Sequence, residues 1–350
     1  MGIIFKFLKA GNGDSVLIST NKSNILIDGG TKRTFNIYLK KEIDRLREAN
    51  QIVDLMVLTH IDSDHIDGLV KLLENEKMLL EEKEISYPIV KSIWFNAFEN
   101  KIFSDDFSDE TSFSGYKTFR EFIAYFDNFI SYNDNLSIDN EIFFTINSDI
   151  DIVLLSPNNQ KLKKLHKKYK DKIEEDFFTS SSIEIDKSIE ELASLKFKKD
   201  TSPHNGASIA FILVYQNRKY LFLADAHIDL INSSLKELGY SKSNPLEVEF
   251  VKLSHHGSKK NINQEFLDLV RSNNFVILTN GASHGHPDKE ALSRIILNPN
   301  RNFNEKINFI CNYEDILERD IFSYEEEIKY NFEFILKNEV IVGRVGREND

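Results

Sequence analysis

A second cysteine is missing from this 350-residue chain, so Cys311 has no partner for an internal disulfide. A lone thiol fits a reducing, cytoplasmic compartment. Long apolar runs are missing too. The longest, at 207–215, falls far short of the ~20 residues a membrane-spanning helix needs. The opening stretch "MGIIFKFLKAGNGDS" lacks a basic leader followed by a long apolar region and a small-residue cleavage site, so no secretory signal is expected. Positive charge is in deficit, with 44 Lys and Arg against 56 Asp and Glu and a net charge of −12. The resulting field repels phosphate and argues against a non-specific nucleic-acid binder. Two local exceptions stand out, "KLKKLHKKYKDK" at 161–172 and "KFKKD" at 196–200. They read either as a solvated helix face or as a phosphate-steering rim.

What the chain does have is 41% hydrophobic content, enough for a substantial core. Short β-type runs bounded by turn residues recur at 3–8, 15–19, 24–27, 54–58 and 92–95, and again at 207–215, 219–223, 249–253 and 275–278. Helical spacing sets Phe35, Leu39, Ile43 and Leu46 on one face of 35–50, and further helices are expected after Ala226, Asn261 and Pro287. This alternation predicts a mixed α/β fold, one domain over 1–350. Two stretches, about 100–140 and 156–204, break the rhythm and read as helical or loop insertions, lids or substrate platforms. The end, "KYNFEFILKNEVIVGRVG", reads as two strands joined by a tight Lys-Asn-Glu turn. No internal repeat or low-complexity tract is present.

The chemistry is concentrated in "LTHIDSDHIDGL" at 58–69. Its acids would repel one another unless a cation lay among them, and imidazole with carboxylate suits zinc, manganese or iron. An apolar strand is expected to end at "DLMVL", a loop to carry "THIDSDH", and a helix to begin at "IDGLVKLL". His65 and Ile66 break the spacing of a calcium loop. Capping by Asp or a satisfied core histidine would explain one such residue, but not the cluster. Further donors follow other strands: Asp225 in "LADAHID", His255 and His256 in "LSHHGS", His284 and His286 in "SHGHPD". "GNGDS" lacks the third glycine of a dinucleotide fingerprint, so it reads as a tight turn that brings Asp14 near the metal face. His227 reads as a helix-start residue rather than a ligand, His166 as surface and Trp94 as core.

The ordered set "GNGDSVLI", "ILIDGG", "LTHIDSDHIDG", "LADA", "LSHHGS" and "GHP" resembles the metallo-β-lactamase superfamily, and within it the hydrolase domain of ComEC-type DNA-uptake proteins. The resemblance implies a four-layer αββα sandwich holding one or two Zn2+ or Mn2+ ions. It implies His60, Asp62, Asp64 and His65 as the first ligand group, Asp225 as the bridging carboxylate and one of His255 and His256 as the last ligand. Asp28 would support the metal loop through hydrogen bonds. Asp62 replaces a histidine common in the superfamily, which makes the site more anionic and favours a harder ion. The usual middle histidine is replaced by "SPHNGASIAF", similar to the Asn-x-x-Ser version of the ComEC-like branch at Asn205 and Ser208. His204 beside it either substitutes as a ligand or faces solvent.

The function this implies is metal-assisted hydrolysis in which a bound water's pKa falls toward ~7. Asp225 would orient the ions, Asp64 would also hold the nucleophile, and His286 or His284 would stabilise developing charge or protonate the leaving group. No Gly-x-Ser-x-Gly elbow offers a covalent nucleophile. A phosphodiester, as DNA, RNA or a nucleotide, is the expected substrate, with a small phosphorylated or acyl compound as the alternative. A non-catalytic binding module stapled by metal is the competing class. Flavin-dependent redox chemistry ranks last, because no flavin domain accompanies the motifs.

Overall fold

The computed structural model describes residues 2–97, 111–171, 186–283 and 285–343. The chain falls into two units, Met1–Leu136 with Phe144–Asp151 and Asn338–Asp350, and Ser137–Phe143 with Ile152–Lys337. Apolar alternation in "GIIFKF" buries Ile3, Phe5 and Phe7 on one face of β1 (Gly2–Phe7). In the first unit β1 joins β2 (Val16–Ser19), β3 (Asn24–Ile27), β4 (Leu55–Val57), β5 (Ser92–Trp94), β6 (Ser131–Asn133) and β17 (Glu339–Gly343). Their order is β17-β1-β2-β3-β4-β5-β6. Pairing is antiparallel from β17 to β3 and parallel from β3 to β6. Each residue of β4 is buried, as a strand covered on both faces requires.

Helices of this unit are α1 (Lys32–Thr34), α2 (Lys40–Glu48), α3 (Ser63–Glu81) and α4 (Thr111–Tyr125), with a π-helical segment Phe35–Leu39 between the first two. The expected helix at 35–50 is therefore present, with its first turns widened. Helix α4 packs against α3, and β6 extends the sheet, so residues 111–136 of the 100–140 stretch are built onto this unit. Residues 100–110 lie outside the described residues. Trp94 is 7% exposed and edge-on to Phe144 at 4.7 Å, a core position.

The eight-stranded sheet is built on β7 (Phe143–Ile146), β8 (Ile150–Ser156), β9 (Ala210–Tyr215), β10 (Arg218–Phe222), β12 (Phe250–Lys252), β14 (Asn274–Ile277), β15 (Ile307–Cys311) and β16 (Phe332–Leu336), of which β9 to β16 belong to the second unit. Their order is β16-β15-β14-β12-β10-β9-β8-β7, parallel from β10 to β16. Strands β11 (Leu246–Glu247) and β13 (Val270–Arg271) form a small separate pair. The helices are α5 (Asn159–Asp171), α6 (Ile189–Ala193), α7 (Pro203–Gly206), α8 (Ile228–Glu237), α9 (Gln264–Leu269), α10 (Lys289–Ile296), α11 (Glu314–Leu317) and α12 (Tyr324–Tyr330). Strand β9 starts at Ala210 rather than 207, because Pro203 opens the short helix α7 that occupies the preceding residues. Residues 172–185 of the second expected insertion lie outside the described residues.

The mixed α/β class is as the sequence predicted. The C-terminal strands exist as expected but do not pair with each other: β16 lies parallel to β15, and β17 lies antiparallel to β1 in the other sheet. Among the described residues no helix is long and apolar enough to cross a membrane.

Candidate metal centre

In the first unit the helix begins earlier than the apolar spacing suggested. Asp62 adopts an extended N-cap conformation and its carbonyl accepts from the N–H groups of His65 and Ile66 at 2.9 and 3.0 Å. Asp64 and His65 therefore belong to the first turn of α3 instead of a loop. An acid in that turn suits the positive end of the helix dipole. Glycines let three backbone segments meet here. A Cβ on Gly13 would lie 1.7 Å from the Asp64 carbonyl oxygen, and one on Gly68 would lie 1.8 Å from the Gly29 oxygen. The N–H of Gly29 donates to His65 O and that of Gly68 to Gly30 O, both at 2.8 Å. The "DGG" and "DHIDG" motifs are thus zipped together, which sets Asp28 beside His65.

Asp28 accepts from the Thr59 amide at 2.8 Å and the Thr59 hydroxyl at 2.6 Å, and its Oδ2 lies 2.8 Å from His65 Nδ1. A carboxylate offers only acceptors, so His65 carries its hydrogen on Nδ1. The Thr59 hydroxyl, its hydrogen spent on Asp28, can only accept from His60 Nδ1 at 3.0 Å. Both rings consequently keep the lone pair on Nε2, the form in which imidazole binds metal. The rings lie 4.0 Å apart between centroids, tilted by 49°. Asp62 Oδ2 is 3.6 Å from His60 Nε2. Asp14, from the tight turn, is 3% exposed and groups with Asp28 and His65, with one donor atom of each within 4.8 Å of the others.

In the second unit the donors follow parallel strands, where a sheet's carboxyl edge gathers ligands. Asp225 follows β10 and is 3% exposed. His255 and His256 follow β12, both left-handed with φ of 46° and 54°. Left-handed backbone at two consecutive histidines is strain that the surroundings must hold in place. The His255 amide donates to Ala224 O and the Ser254 hydroxyl to Ala226 O, both at 2.9 Å, tying this turn to the Asp225 loop. His256 Nδ1 lies 2.8 Å from Leu278 O and must donate to it, so its lone pair is on Nε2. His255 Nε2 is 3.9 Å from Asp225 Oδ2, and its ring is 5.0 Å from that of His286. His286 Nδ1 is 3.5 Å from Asp288 Oδ2. Burial would raise the Asp288 carboxyl, but His286 and the Lys259 amide hold it below the usual range. Arg319 fastens this loop by donating to the carbonyls of Gly285 and His286, each at 2.7 Å. His284 lies outside the described residues.

The sequence reading missed Asp200, hidden at the end of a segment read only for its lysines. It is 8% exposed and accepts from Asn205 Nδ2 at 2.7 Å and the Ser202 amide at 2.9 Å. Burial would raise its carboxyl, yet His255, His227 and the Asn205 amide hold it well below the usual range. Asn205 and Ser208 are both buried and joined by a backbone hydrogen bond at 3.1 Å.

Helix α5 corrects the picture of a merely solvated basic face. Lys163, Lys164 and Lys167 are exposed, but Lys168 is 6% exposed and its ammonium lies 2.9 Å from His204 Nε2. Lys161 Nζ lies 2.7 Å from His227 Nδ1 and 3.2 Å from Asp229. An ammonium can only donate, so both imidazoles accept. His204 is therefore not a solvent-facing loop residue: it is 6% exposed and its Nε2 lone pair is used. His227 is indeed the N-cap residue of α8. Cys311 is buried, which pushes its thiol up to about 12 and leaves it inert as a nucleophile.

The metallo-beta-lactamase superfamily model matches residues 8–116, the segment that carries Asp28, His60, Asp62, Asp64 and His65. Microtubule-associated protein 1A of Rattus norvegicus is 37% identical over 75 residues, 21% of this chain and 2% of that protein. A protein described as a probable metallo-hydrolase of Methanocaldococcus jannaschii is 34% identical over 87 residues, 24% of this chain and 41% of that protein. The chain thus matches only a minor part of these relatives' length. A metallo-beta-lactamase fold protein from Bacillus subtilis aligns over 98% of this chain and 99% of its own at a TM-score of 0.42 and 10% identity. The likeness to the metallo-beta-lactamase superfamily is thus carried by the segment 8–116, with its histidine and aspartate motifs.

Proposed function

We propose that the chain is a metal-dependent hydrolase of phosphodiesters, a nuclease or phosphodiesterase. The observation that carries this reading is the hydrogen-bond chain from Asp28, which fixes both His60 and His65 with lone pairs on Nε2. Nitrogen lone pairs beside buried carboxylates fit a borderline divalent cation such as Zn2+ or Mn2+. In this proposal the metal ligands are His60, Asp62, Asp64, His65, Asp225 and a histidine of the 255–256 pair. Such a cation, when bound, activates water and polarises the substrate oxygen.

The chain's own residues do the rest. Asp28 and Thr59 hold the two imidazoles in register, Asp64 holds the nucleophile and Asp225 orients the centre. His286, steadied by Asp288 and by the Arg319 grip on its loop, supplies a proton to the leaving group. Asn205 and Ser208 are supporting residues. The ComEC-like branch and a cytoplasmic setting belong to this proposal and rest on motif order and on the lone thiol. A small phosphorylated or acyl substrate is the alternative for the same chemistry. Assay of bis(p-nitrophenyl) phosphate and of DNA and RNA with added zinc or manganese tests the reading, with Asp225→Asn as control. Turnover lost in the variant supports it; no turnover by metal-loaded wild type sinks it.

One observation favours a second reading, a metal-stapled binding module. His204, the candidate for the missing middle histidine, has its Nε2 engaged by Lys168. Bound metal with no turnover of any phosphodiester would select that reading.

A further inference from the structure

We propose that a cavity at the amino edge of the second unit's parallel strands binds a nucleoside monophosphate, at the opposite end of those strands from the loops that carry Asp225, His255 and His256. The site belongs to the second unit alone and does not depend on the metallohydrolase reading.

The cavity measures about 520 Å³, within the ~300–1,000 Å³ range of small-molecule sites. Arg218 and Lys219 open β10, Glu249 precedes β12 and Asn274 opens β14, so the lining gathers where these strands begin. Residues of the β11–β13 pair and of the loop after α10 complete it. Carboxamides tie the wall together. Asn274 Nδ2 donates to Glu249 O at 2.9 Å, Asn308 Nδ2 to Asn274 Oδ1 at 2.8 Å and Asn298 Nδ2 to Leu267 O at 3.3 Å. A wall cross-tied in this way is formed before a ligand arrives, which lowers the ordering cost of binding.

Four cations and three carboxylates line the cavity, and most of the negative charge is already committed. Arg218 donates to Glu249 at 3.2 Å, and the carboxamides of Asn273 and Asn302 donate to Glu305. Among the described residues Lys219, Arg271 and Arg301 make no ion pair. Arg271 Nη1 donates to Leu267 O at 3.1 Å, and Arg301 donates to Ile296 O at 2.9 Å and Tyr330 O at 2.7 Å. These neutral carbonyls fix the guanidinium groups without cancelling their charge. Burial, with no carboxylate to offset it, lowers Arg301 from its usual value. In a chain of net charge −12 this is a local reversal of sign, and a guanidinium takes phosphoryl oxygens two at a time. Phosphate alone would leave most of the volume unfilled. Leu267, Val270 and Phe275, all buried, give part of the lining an apolar surface for a base. The exposed Glu247 carboxylate is left to accept from sugar hydroxyls.

The test is isothermal titration calorimetry on the full chain after chelator treatment, so that no metal elsewhere competes for phosphate. The probes are AMP, adenosine and inorganic phosphate. We expect AMP to bind at least about tenfold tighter than either fragment, and Arg271→Ala to weaken AMP about tenfold, the usual scale for a lost hydrogen bond to a charged group. Val248→Trp, which places a large side chain in the cavity wall, should abolish binding. Lys163→Ala, on the exposed face of α5, should bind as wild type does. No heat of binding with AMP at millimolar concentration overturns the proposal. So does inorganic phosphate binding as tightly as AMP, or AMP affinity unchanged in Arg271→Ala and Val248→Trp. Should either variant not fold, Lys219→Ala replaces it with a tenfold loss expected, and the order of the three probes on wild type decides independently of any variant.

Discussion

Asp28 takes three hydrogen bonds at once, from the Thr59 amide, the Thr59 hydroxyl and His65, and through Thr59 it also orients His60. Replacing it with alanine frees both rings to turn over. Partners that orient a ligating histidine are typically worth 10–100-fold in metal affinity, so equilibrium dialysis of Asp28→Ala against zinc should show a loss of that size. Affinity unchanged from wild type would mean the rings are held by something else. Asp200 lends itself to a pH experiment. Its folded carboxyl is held below the usual range, so its contribution to stability is fully present above the unfolded value of about 3.9. That contribution is lost as pH falls through the lower folded value. Urea denaturation from pH 7 down to pH 3 should show a shallower acid decline for Asp200→Asn than for wild type. Parallel declines would remove Asp200 from the acid response. The aspartate that orients His65 stood in a motif and could be read; Asp200 could not, because its importance lies in which histidines the fold brings to it.

Helix α5 shows what periodicity reveals and what it hides. Leu162 and Leu165 are buried, as spacing by three predicts for a helix lying on a core. The same spacing leaves every lysine looking like a solvated charge. Contact with α7 decides otherwise for Lys168, whose ammonium reaches His204 there. Lys168→Ala removes that donor from a buried imidazole and should cost about 1–3 kcal/mol in chemical denaturation. Lys164→Ala, on the exposed face, should stay within about 0.5 kcal/mol of wild type. Equal effects would mean that the inward lysine contributes no more than its neighbours. The turn at 11–13 makes the complementary point. Its glycines announce a tight connection, but only the packing of α3 shows why Gly13 tolerates no side chain. Gly13→Ala should destabilise by about 1–3 kcal/mol, the usual cost of overpacking.

For the whole molecule, metal binding and folding are linked if the donors act together. A ligand that binds only the native state adds about 2.7 kcal/mol at a hundredfold excess over its Kd. Thermal unfolding should therefore rise in Tm as zinc is added to chelator-treated protein and fall back with EDTA. A Tm indifferent to zinc would count against resident metal. The sequence by itself determined the α/β alternation, the strands from β1 to β5 within a few residues, and the donor-bearing segments after β4, β10 and β12, because these are set by local apolar periodicity and by turn chemistry. Tertiary structure alone decided that the last two strands enter different sheets, that two lysines of α5 face inward, and that His255 and His227 lie beside Asp200. Each of those depends on a partner distant in the chain: a strand edge, a buried imidazole, the ring of His255. Spacing along the sequence carries no record of such partners.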